Sequence, residues 1–362
     1  MIKLLIVDDS PLMRRLLVDI FTDAGDFEVE VARSGAEALQ RLAAFAPDVI
    51  TLDIHMPGMD GLACLDRIMI ERPCPVVMVS SLTAAGADVT LQAIELGAVD
   101  FIAKPRGALS LEIDTVVPAL LEKVRTAAAV RISRATRLRE RVQARTRAKP
   151  RTVASPGPKV VRRSAAAGPI PADGLVLVGC STGGPPALDA LLGGLPADFP
   201  WPVLVAQHMP ATFTGPLARR LDKMCALTVT EVARSTALEP GNVYIGRGDA
   251  DLIVTRRAGS LAAAAAPSSA DHFWHPSVDR MVQSAMAHLP PDQLVGVLMT
   301  GMGNDGAAAL TELKTRGGTT LAESSDTAVV WGMPGALVAA EGASIVAPLE
   351  CLAAELVALF AR

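Results

Sequence analysis

The sequence predicts an α/β protein with two doubly wound parallel-sheet domains joined by a linker. Short apolar runs of strand length alternate with amphipathic helical segments in both halves of the 362-residue chain. Half of the residues are hydrophobic, which is enough for two substantial cores. The stretch between the halves lacks the alternation and is rich in Arg, Ala and Pro. We therefore expect a first domain over residues 1–125, a linker over 126–172 and a second domain over 173–362.

Buried parallel strands are predicted in the first domain at four short apolar runs. These runs are Leu4–Val7, Val49–Leu52, Val76–Val79 and Val99–Ile102, and helical spacing fills the segments between them. In a doubly wound sheet the ligand site lies at the carboxyl ends of the strands. The residues that follow the runs are therefore the candidates for function.

Charged and hydroxyl side chains follow all four runs. Asp8 and Asp9 follow the first, Asp53 the second, Ser80 the third and Lys104 the last. Converging carboxylates repel one another, and a hard divalent cation is the usual remedy; Mg²⁺ suits a site that must also admit phosphate. A single Asp at a strand end is more often a cap or turn residue, but the joint placement of all five favours phosphate chemistry.

With these residues, and with the run Asp53-Ile54-His55-Met56-Pro57-Gly58, the first 120 residues resemble a response-regulator receiver domain. The resemblance implies that Asp53 accepts a phosphoryl group from a histidine kinase. It further implies that Asp8, Asp9 and Asp53 hold Mg²⁺ and that Lys104 contacts the phosphate. Two residues are implied to move on phosphorylation, Ser80 and Phe101.

The linker carries the basic charge of a chain whose net charge is −4. Residues 123–163 contain fourteen Lys or Arg and one acid, Glu140. Arginines at spacings of three and four predict a helical extension that Pro150 ends: Arg134, Arg137, Arg141 and Arg145. This face could contact nucleic acid or an acidic partner. A solvated tether is the favoured interpretation because no aromatic residue lies between the arginines, and we expect no nucleic-acid partner.

Strands and helices alternate again in the second domain. Buried strands are predicted at Leu175–Val178, Val203–Ala206 and Leu294–Met299. We expect a peripheral hairpin formed by Asn242–Ile245 and Leu252–Thr255, and a loop or edge excursion over the Ala-rich residues 261–269.

Three of these strand ends present a hydroxyl, an imidazole and a carboxylate. Ser181 lies in Gly179-Cys180-Ser181-Thr182-Gly183-Gly184, His208 follows the second strand, and Asp305 lies in the glycine-rich loop after the third. Strand ends of a parallel sheet share one edge, so the three side chains can converge. A serine nucleophile needs a base to take its proton and a carboxylate to orient that base, which makes this set a candidate catalytic triad.

Each triad candidate also has a structural interpretation. Ser181 or Thr182 could cap the following helix, His208 could be a buried hydrogen-bonded histidine, and Asp305 could cap a helix of its own. The joint placement favours catalysis. The glycines allow backbone N–H groups to point at an oxyanion, and our candidates for these donors are at Thr182 and Met302.

The sequence is compatible with two other functional sites, a different hydrolase triad and a metal site. Gly179-Cys180-Ser181-Thr182-Gly183 matches the nucleophile elbow of α/β-hydrolases, which would require an acid among Asp222, Asp249 and Asp251 and a base among His272, His275 and His288. His272 and His275 are also spaced as two metal ligands, but no third ligand is evident. Neither alternative places its residues at convincing strand ends.

The motifs G-C-S-T-G-G, Q-H-M-P, H-P-S-V-D and T-G-M-G-N-D-G resemble the catalytic domain of the chemotaxis protein-glutamate methylesterase family, CheB. The resemblance implies a phosphorylation-activated serine hydrolase with Ser181 as nucleophile, His208 as general base, Asp305 as orienting acid and Met302 at an oxyanion position. Its substrates would be glutamyl methyl esters, and certain glutamines, of chemoreceptors. It implies no cofactor for ester hydrolysis and a chemotaxis histidine kinase as phosphodonor.

Cysteine content and hydropathy restrict the class of protein to which this chain can belong. Five cysteines without framework or metal spacing predict free thiols in a reducing cytoplasm. No apolar run is long enough to span a bilayer, so we expect no membrane insertion and a cytoplasmic protein. Recruitment to receptor arrays is what the family resemblance implies. Two other functions stay open: a receiver with a nucleic-acid-binding output, and a catalytically idle adaptor.

Overall fold

The computed structural model describes residues 1–80, 83–104, 113–130, 161–162, 173–257 and 259–360. The chain divides into two compact units, Met1–Pro156 and Gly157–Arg362. The boundary lies within the stretch 126–172 that the sequence predicts as linker. The predicted helical extension with Arg134 to Arg145 lies outside the described residues.

The first unit is a five-stranded parallel sheet with strand order β2-β1-β3-β4-β5. Its strands are β1 (Ile2–Val7), β2 (Phe27–Ala32), β3 (Val49–Asp53), β4 (Val76–Ser80) and β5 (Asp100–Ala103). Its helices are α1 (Pro11–Asp23), α2 (Gly35–Phe45), α3 (Gly61–Glu71), α4 (Ala84–Leu96) and α5 (Ile113–Ala128). This confirms the doubly wound fold predicted for this half.

The central strands of this unit are buried on both faces, which is why they are apolar without alternation. Leu4, Ile6 and Val49 pack in one core with Phe21 of α1 and Val124 of α5. The strand β2, which the four apolar runs do not include, lies at the edge and alternates acids with apolar residues over Phe27–Ala32.

The second unit contains an eight-stranded sheet of order β6-β16-β15-β14-β7-β8-β11-β9 and a three-stranded antiparallel sheet of order β10-β13-β12. Among the described strands of the larger sheet, β6 alone is antiparallel. The strands are β6 (Val161–Arg162), β7 (Leu175–Cys180), β8 (Val203–Gln207), β9 (Thr228–Val232), β10 (Thr236–Ala237), β11 (Asn242–Gly246), β12 (Ala250–Arg257), β13 (Ser260–Pro267), β14 (Leu294–Leu298), β15 (Thr319–Glu323) and β16 (Ile345–Ala347). The helices are α6 (Gly184–Gly193), α7 (Ala211–Met224), α8 (Val278–Met286), α9 (Ala307–Thr315), α10 (Met333–Ala339) and α11 (Leu349–Phe360), with a 3-10 turn at Pro291–Gln293.

The order of the large sheet sets the position of the site. From β7 the chain proceeds to β8 on one side, and β14 is inserted later on the other side. The direction of winding therefore switches between β7 and β14, and ligand sites of doubly wound sheets lie at such a switch point. The loops that carry Ser181, His208 and Asp305 all begin at this edge.

Two predictions for the second unit are wrong. Asn242–Ile245 and Leu252–Thr255 do not form a hairpin, because β11 joins the large sheet between β8 and β9 and β12 pairs with β13 instead. The Ala-rich segment is a strand of that β12–β13 hairpin rather than a loop. Pairing with β12 along eight residues supplies the order that a run of alanines does not indicate by itself.

Candidate active site

Ser181 lies directly after β7, in the turn that leads to α6. Its side chain is buried, with 5 % of the residue exposed. The Ser181 amide donates to the Thr300 carbonyl at 2.9 Å, and the Ser181 carbonyl accepts from the Gly184 amide at 2.7 Å. The N-cap of α6 is Gly183, with φ +78° and no side-chain capping bond. The N-cap position of α6 therefore belongs to Gly183 rather than to Ser181 or Thr182.

Two glycines make this turn possible by close approach. A Cβ on Gly184 would overlap the Gln207 side-chain oxygen, and a Cβ on Gly301 would lie 2.8 Å from the Ser181 Cβ. Gln207 uses its amide group to donate to the Ser181 and His208 carbonyls, at 3.0 and 3.1 Å. The turn is thus held from β8 as well as from the loop after β14.

His208 follows β8, next to Ser181 in the sheet. The preceding residues Cys180 and Gln207 are register partners, and the His208 amide donates to the Cys180 carbonyl at 3.1 Å. The imidazole is buried, and its Nε2 lies 2.8 Å from Asp305 Oδ2. Because a carboxylate only accepts, Nε2 carries the proton and Nδ1 is left with its lone pair. Nδ1 has no hydrogen-bond partner among the described residues.

Asp305 lies at the N-terminus of α8 rather than capping the helix that follows it. Its Oδ2 accepts from the Val278 amide at 2.7 Å, and its Oδ1 accepts from the Asp279 amide at 3.1 Å and the Ser277 hydroxyl at 3.0 Å. The following helix, α9, has Gly306 as its N-cap without a side-chain bond. Asp305 therefore does not cap α9, the helix that follows it, and the capping interpretation is wrong.

The electrostatics of Asp305 keep it ionised. Burial alone would raise the pKa of this carboxyl. The hydrogen bond and charge of His208 and the amides of Val278 and Asp279 outweigh burial and hold the pKa of Asp305 below its usual range. An ionised carboxylate in contact with Nε2 can stabilise an imidazolium, as the orienting acid of a triad does.

An aromatic residue completes the surroundings of His208. The Trp274 ring stacks on the imidazole with centroids 5.5 Å apart and planes at 10°. Phe273, which is exposed, meets the Trp274 ring edge-on at 4.8 Å. Trp274 therefore covers one face of the imidazole and leaves the ring edge with Nδ1 as its reactive position.

The two oxyanion candidates belong to the two loops that meet at the serine. Thr182 continues the Ser181 turn, and its carbonyl accepts from the Thr300 hydroxyl at 2.8 Å. Met302 follows Gly301, whose Cα lies against Ser181. Both residues are buried.

Two residues of the alternative hydrolase triad, His275 and Asp251, do contact each other, but their contacts stabilise the start of α8. His275 Nδ1 lies 2.9 Å from Asp251 Oδ1, and the same carboxylate accepts from the Ser277 amide at 2.8 Å and from Arg280. These contacts anchor the start of α8, which in turn carries the donors to Asp305. Among the described residues, His272 and His275 are not part of any cluster that could hold a metal ion.

The first unit brings its predicted site residues together at the ends of β1, β3 and β5. Carboxylate oxygens of Asp8, Asp9 and Asp53 lie within 4.8 Å of one another. Lys104 Nζ lies 3.0 Å from Asp8 Oδ2 and 2.7 Å from Asp53 Oδ2. Asp8 and Asp53 are buried, and Asp9 is exposed.

This carboxylate cluster suits a hard divalent cation. Burial raises the pKa of Asp53, and nearby Asp8 adds to that rise, while Lys104 and the His55 amide oppose it. One lysine therefore does not fully neutralise the cluster. All of the donors are carboxylate oxygens, the ligands that Mg²⁺ takes, so the residues present fit Mg²⁺.

The two predicted switch residues lie on neighbouring strands. Ser80 ends β4 and is buried, and its hydroxyl accepts from Thr90 of α4 at 2.8 Å. Phe101 in β5 is buried, with Lys123 Nζ 5.2 Å from its ring centroid. Each residue thus connects the strand ends to a helix.

Sequence reasoning missed four residues that contact the site or its loops: Gln207, Trp274, Thr300 and Glu323, whose Oε2 accepts from the Thr300 amide at 2.8 Å. Gln207 and Thr300 lie close to predicted site residues at strand ends, and this position could have identified them as residues of the site. Trp274 directly precedes the motif H-P-S-V-D at 275–279, on which the resemblance rests in part. Glu323 ends a strand that the apolar runs do not include, so no signal marked it.

The comparisons with known proteins assign both units. Residues 176–356 match the family model described as CheB methylesterase, and residues 4–113 match the model described as response regulator receiver domain. Among the described residues, no helix has the length and apolar character needed to cross a membrane.

Named relatives match along the whole chain. A protein of Rhodopseudomonas palustris named protein-glutamate methylesterase/protein-glutamine glutaminase 2 is 56 % identical over 99 % of this chain and 98 % of its own. One of Rhodospirillum rubrum, named protein-glutamate methylesterase/protein-glutamine glutaminase 3, is 50 % identical over 100 % and 97 %. The crystal structure of the Thermotoga maritima CheB methylesterase catalytic domain is 36 % identical, with a TM-score of 0.50, over 51 % of this chain and 98 % of that domain. With an N-terminal receiver domain and a C-terminal methylesterase domain, this chain belongs to the CheB methylesterase family.

Proposed function

We propose that this chain is a phosphorylation-activated serine hydrolase that removes methyl groups from glutamyl methyl esters of chemoreceptors and deamidates specific receptor glutamines. The observation that carries the proposal is the contact of 2.8 Å between His208 Nε2 and Asp305 Oδ2, at the strand end beside Ser181. The names of the relatives support the same pair of activities.

In the first half of the reaction, Ser181 Oγ attacks the ester carbonyl carbon while His208 Nδ1 takes the hydroxyl proton. Asp305 stabilises the imidazolium that results. The oxyanion of the tetrahedral intermediate is bound by backbone N–H groups, for which Thr182 and Met302 are the candidates. One such donor is worth about 3 kcal/mol of transition-state stabilisation.

Collapse of the intermediate breaks the bond to the leaving group. His208 returns its proton to the departing oxygen, so that methanol leaves and the glutamyl group stays on Ser181 as an ester. With glutamine as substrate, the same proton goes to the amide nitrogen and ammonia leaves. Water, deprotonated by His208, then attacks the acyl-enzyme; the bond from Ser181 Oγ to the acyl carbon breaks, His208 returns the proton to Oγ, and the receptor glutamate is released.

Control of this reaction belongs to the first unit. We infer that Asp53 accepts a phosphoryl group from a histidine kinase, that Asp8, Asp9 and Asp53 hold Mg²⁺ and that Lys104 contacts the phosphate. The bound ion supplies positive charge against the phosphoryl oxygens. Ser80 and Phe101 are the residues that transmit the change. The contacts of Lys104 with both Asp8 and Asp53 support this assignment.

The partners implied are a methyl-accepting receptor as substrate and a chemotaxis histidine kinase as phosphodonor. We place the protein in the cytoplasm, at receptor arrays, as the resemblance to the CheB family implies. Neither nucleic-acid binding nor membrane insertion is part of the proposal.

The test is release of methanol from methylated receptor membranes by the wild type and by Ser181→Ala. We expect the substitution to abolish release while Asp53 phosphorylation by a small phosphodonor is unchanged. Turnover retained by Ser181→Ala would refute the assignment of the nucleophile.

A further inference from the structure

Glu323 is a buried carboxylate that the proposed hydrolysis does not use. It is the last residue of β15 and is 0 % exposed. No Lys, Arg or His side chain among the described residues pairs with it. Burying a carboxylate without a cation is costly unless its oxygens accept hydrogen bonds. The groups that donate to Glu323 therefore indicate its role.

Both carboxylate oxygens of Glu323 accept hydrogen bonds. Oε2 accepts from the Thr300 amide at 2.8 Å, and Oε1 accepts from the Thr327 hydroxyl at 3.0 Å. Thr300 is the second residue of the loop that leads from β14 to Asp305. The Glu323 side chain thus reaches from β15 to the end of the neighbouring strand and fixes the first peptide of that loop.

Thr300 is in turn bound to the turn that carries Ser181. Its carbonyl accepts from the Ser181 amide at 2.9 Å, and its hydroxyl donates to the Thr182 carbonyl at 2.8 Å. The same hydroxyl accepts from the Val330 amide at 3.0 Å. One buried residue therefore holds the Ser181–Thr182 turn at two points, the Ser181 amide and the Thr182 carbonyl, and its own position depends on Glu323.

We propose that Glu323 is a positioning residue of the active site: through its hydrogen bond to Thr300 it sets the position of the Ser181–Thr182 turn. The inference rests on the proposed function only for the role of Ser181 as nucleophile. A misplacement of about 1 Å in a nucleophile can cost two orders of magnitude in rate, so a link of this kind governs kcat more than substrate binding.

The acceptor oxygen, rather than the charge, is what positions Thr300. Burial raises the pKa of Glu323 to about 7, with Glu350 adding to the rise and the Thr300 and Thr327 donors opposing it. Both protonation states are thus populated near neutral pH, and each has an oxygen available for the Thr300 amide. A glutamine offers the same oxygen, and its amide group can donate to the Thr327 hydroxyl.

The experiment compares Glu323→Gln with Glu323→Met in the full-length chain, by steady-state methanol release from methylated receptor membranes. Methionine is of similar length but replaces the carboxylate oxygens by a thioether and a methyl group, which offer only a weak acceptor. We expect Glu323→Met to lower kcat by between about tenfold and a hundredfold with KM within twofold. Glu323→Gln should keep kcat close to wild type. Glu312→Met, at an exposed acid of α9 that pairs with Arg316, is the matched control and should be unchanged.

Two results would overturn the proposal: an unchanged kcat in Glu323→Met, or equal losses in the Met and Gln variants. If Glu323→Met does not fold, Glu323→Asp replaces it and should show the same loss, because it withdraws the carboxylate by one methylene. Ser181→Ala is assayed alongside. Activity retained by that variant refutes the proposed function, whereas an inactive Ser181→Ala with a fully active Glu323→Met refutes this proposal alone.

Discussion

His208 Nε2 lies 2.8 Å from Asp305 Oδ2, and the same oxygen accepts from the Val278 amide at 2.7 Å. The acid is thereby held by the N-terminus of α8 while it orients the imidazole. Since the N-terminal end of a helix favours negative charge, α8 helps Asp305 to stay ionised. The imidazole is left with Nδ1 as its basic atom.

Replacement of Asp305 by Asn should lower kcat for methanol release by about 10³- to 10⁴-fold, because an amide can direct the imidazole into the wrong tautomer and carries no charge to stabilise the imidazolium. The control is Asp279→Asn, an acid on the first turn of α8 that accepts from the Ala309 amide at 2.9 Å. Comparable losses in both variants would mean that α8, rather than the acid, limits the rate.

Trp274→Leu should reduce kcat about fivefold, since the indole face stabilises the imidazolium that forms during attack by about 1 kcal/mol. Trp274→Phe keeps an aromatic face and should lose less. Phe273→Leu serves as the control, because Phe273 touches Trp274 and is exposed. Kinetics with receptor membranes decide the question, and a Leu variant as active as the Phe variant would exclude a role for the ring.

The stability of the second domain should depend on pH through Glu323. The folded-state pKa of about 7 is above the ordinary 4.5, so the folded state holds this proton more tightly. The free energy of unfolding therefore falls as the pH rises from the ordinary pKa to the folded-state pKa of Glu323. Glu323→Gln should be more stable than wild type by about 3 kcal/mol at pH 8.5 and by less than about 1 kcal/mol at pH 5.

Urea unfolding followed by tryptophan fluorescence measures this difference in one domain, because all three tryptophans belong to the second unit: Trp201, Trp274 and Trp331. A difference that does not vary with pH would contradict the assignment of the titration to Glu323.

Gly184→Ala should destabilise the second domain by about 1–3 kcal/mol, because the added methyl group overlaps the Gln207 side chain that supports the Ser181 turn. Gly193→Ala is a matched control on the same helix, with nothing within 4 Å of the added Cβ. That variant should be neutral or more stable by up to about 1 kcal/mol. Thermal unfolding of both compares the two sites, and equal midpoints would show that the Gln207 contact relaxes freely.

Affinity of the first domain for Mg²⁺ should fall as the pH is lowered from 8 to 5. Burial raises the pKa of Asp53, so protons compete with the ion at a higher pH than for an ordinary carboxylate. Calorimetric titration at several pH values measures the effect. Asp53→Asn should bind Mg²⁺ more weakly and with less dependence on pH; an unchanged affinity in that variant would remove Asp53 from the ligand set.

The fold and the family could be predicted because the informative residues follow apolar strands. Asp8, Asp53, Ser181 and His208 each stand at the end of a buried run, and topology brings such ends together. Strands without a continuous apolar run were harder to predict. The Ala-rich β13 has no periodicity, and β11 joins the large sheet through pairing partners that are distant in the chain.

The residues that hold the catalytic side chains in place were less predictable from the sequence than the catalytic residues themselves. Asp305 depends on amides of α8 some 27 residues away, and Glu323 reaches Thr300 over a separation of 23 residues. Neither separation has a local sequence signal. The acid of β15 appears in the sequence as one of several polar residues in Ala322-Glu323-Ser324-Ser325-Asp326.

The central claim is that Ser181 hydrolyses receptor glutamyl esters under the control of Asp53. The most direct measurement is the initial rate of methanol release from methylated receptor membranes, with and without a small phosphodonor, for wild type, Ser181→Ala and Asp53→Asn. We predict that the phosphodonor accelerates the wild type, that Asp53→Asn keeps only the basal rate and that Ser181→Ala releases nothing in either condition. Methanol release by Ser181→Ala, or equal acceleration of Asp53→Asn by the phosphodonor, would contradict the account.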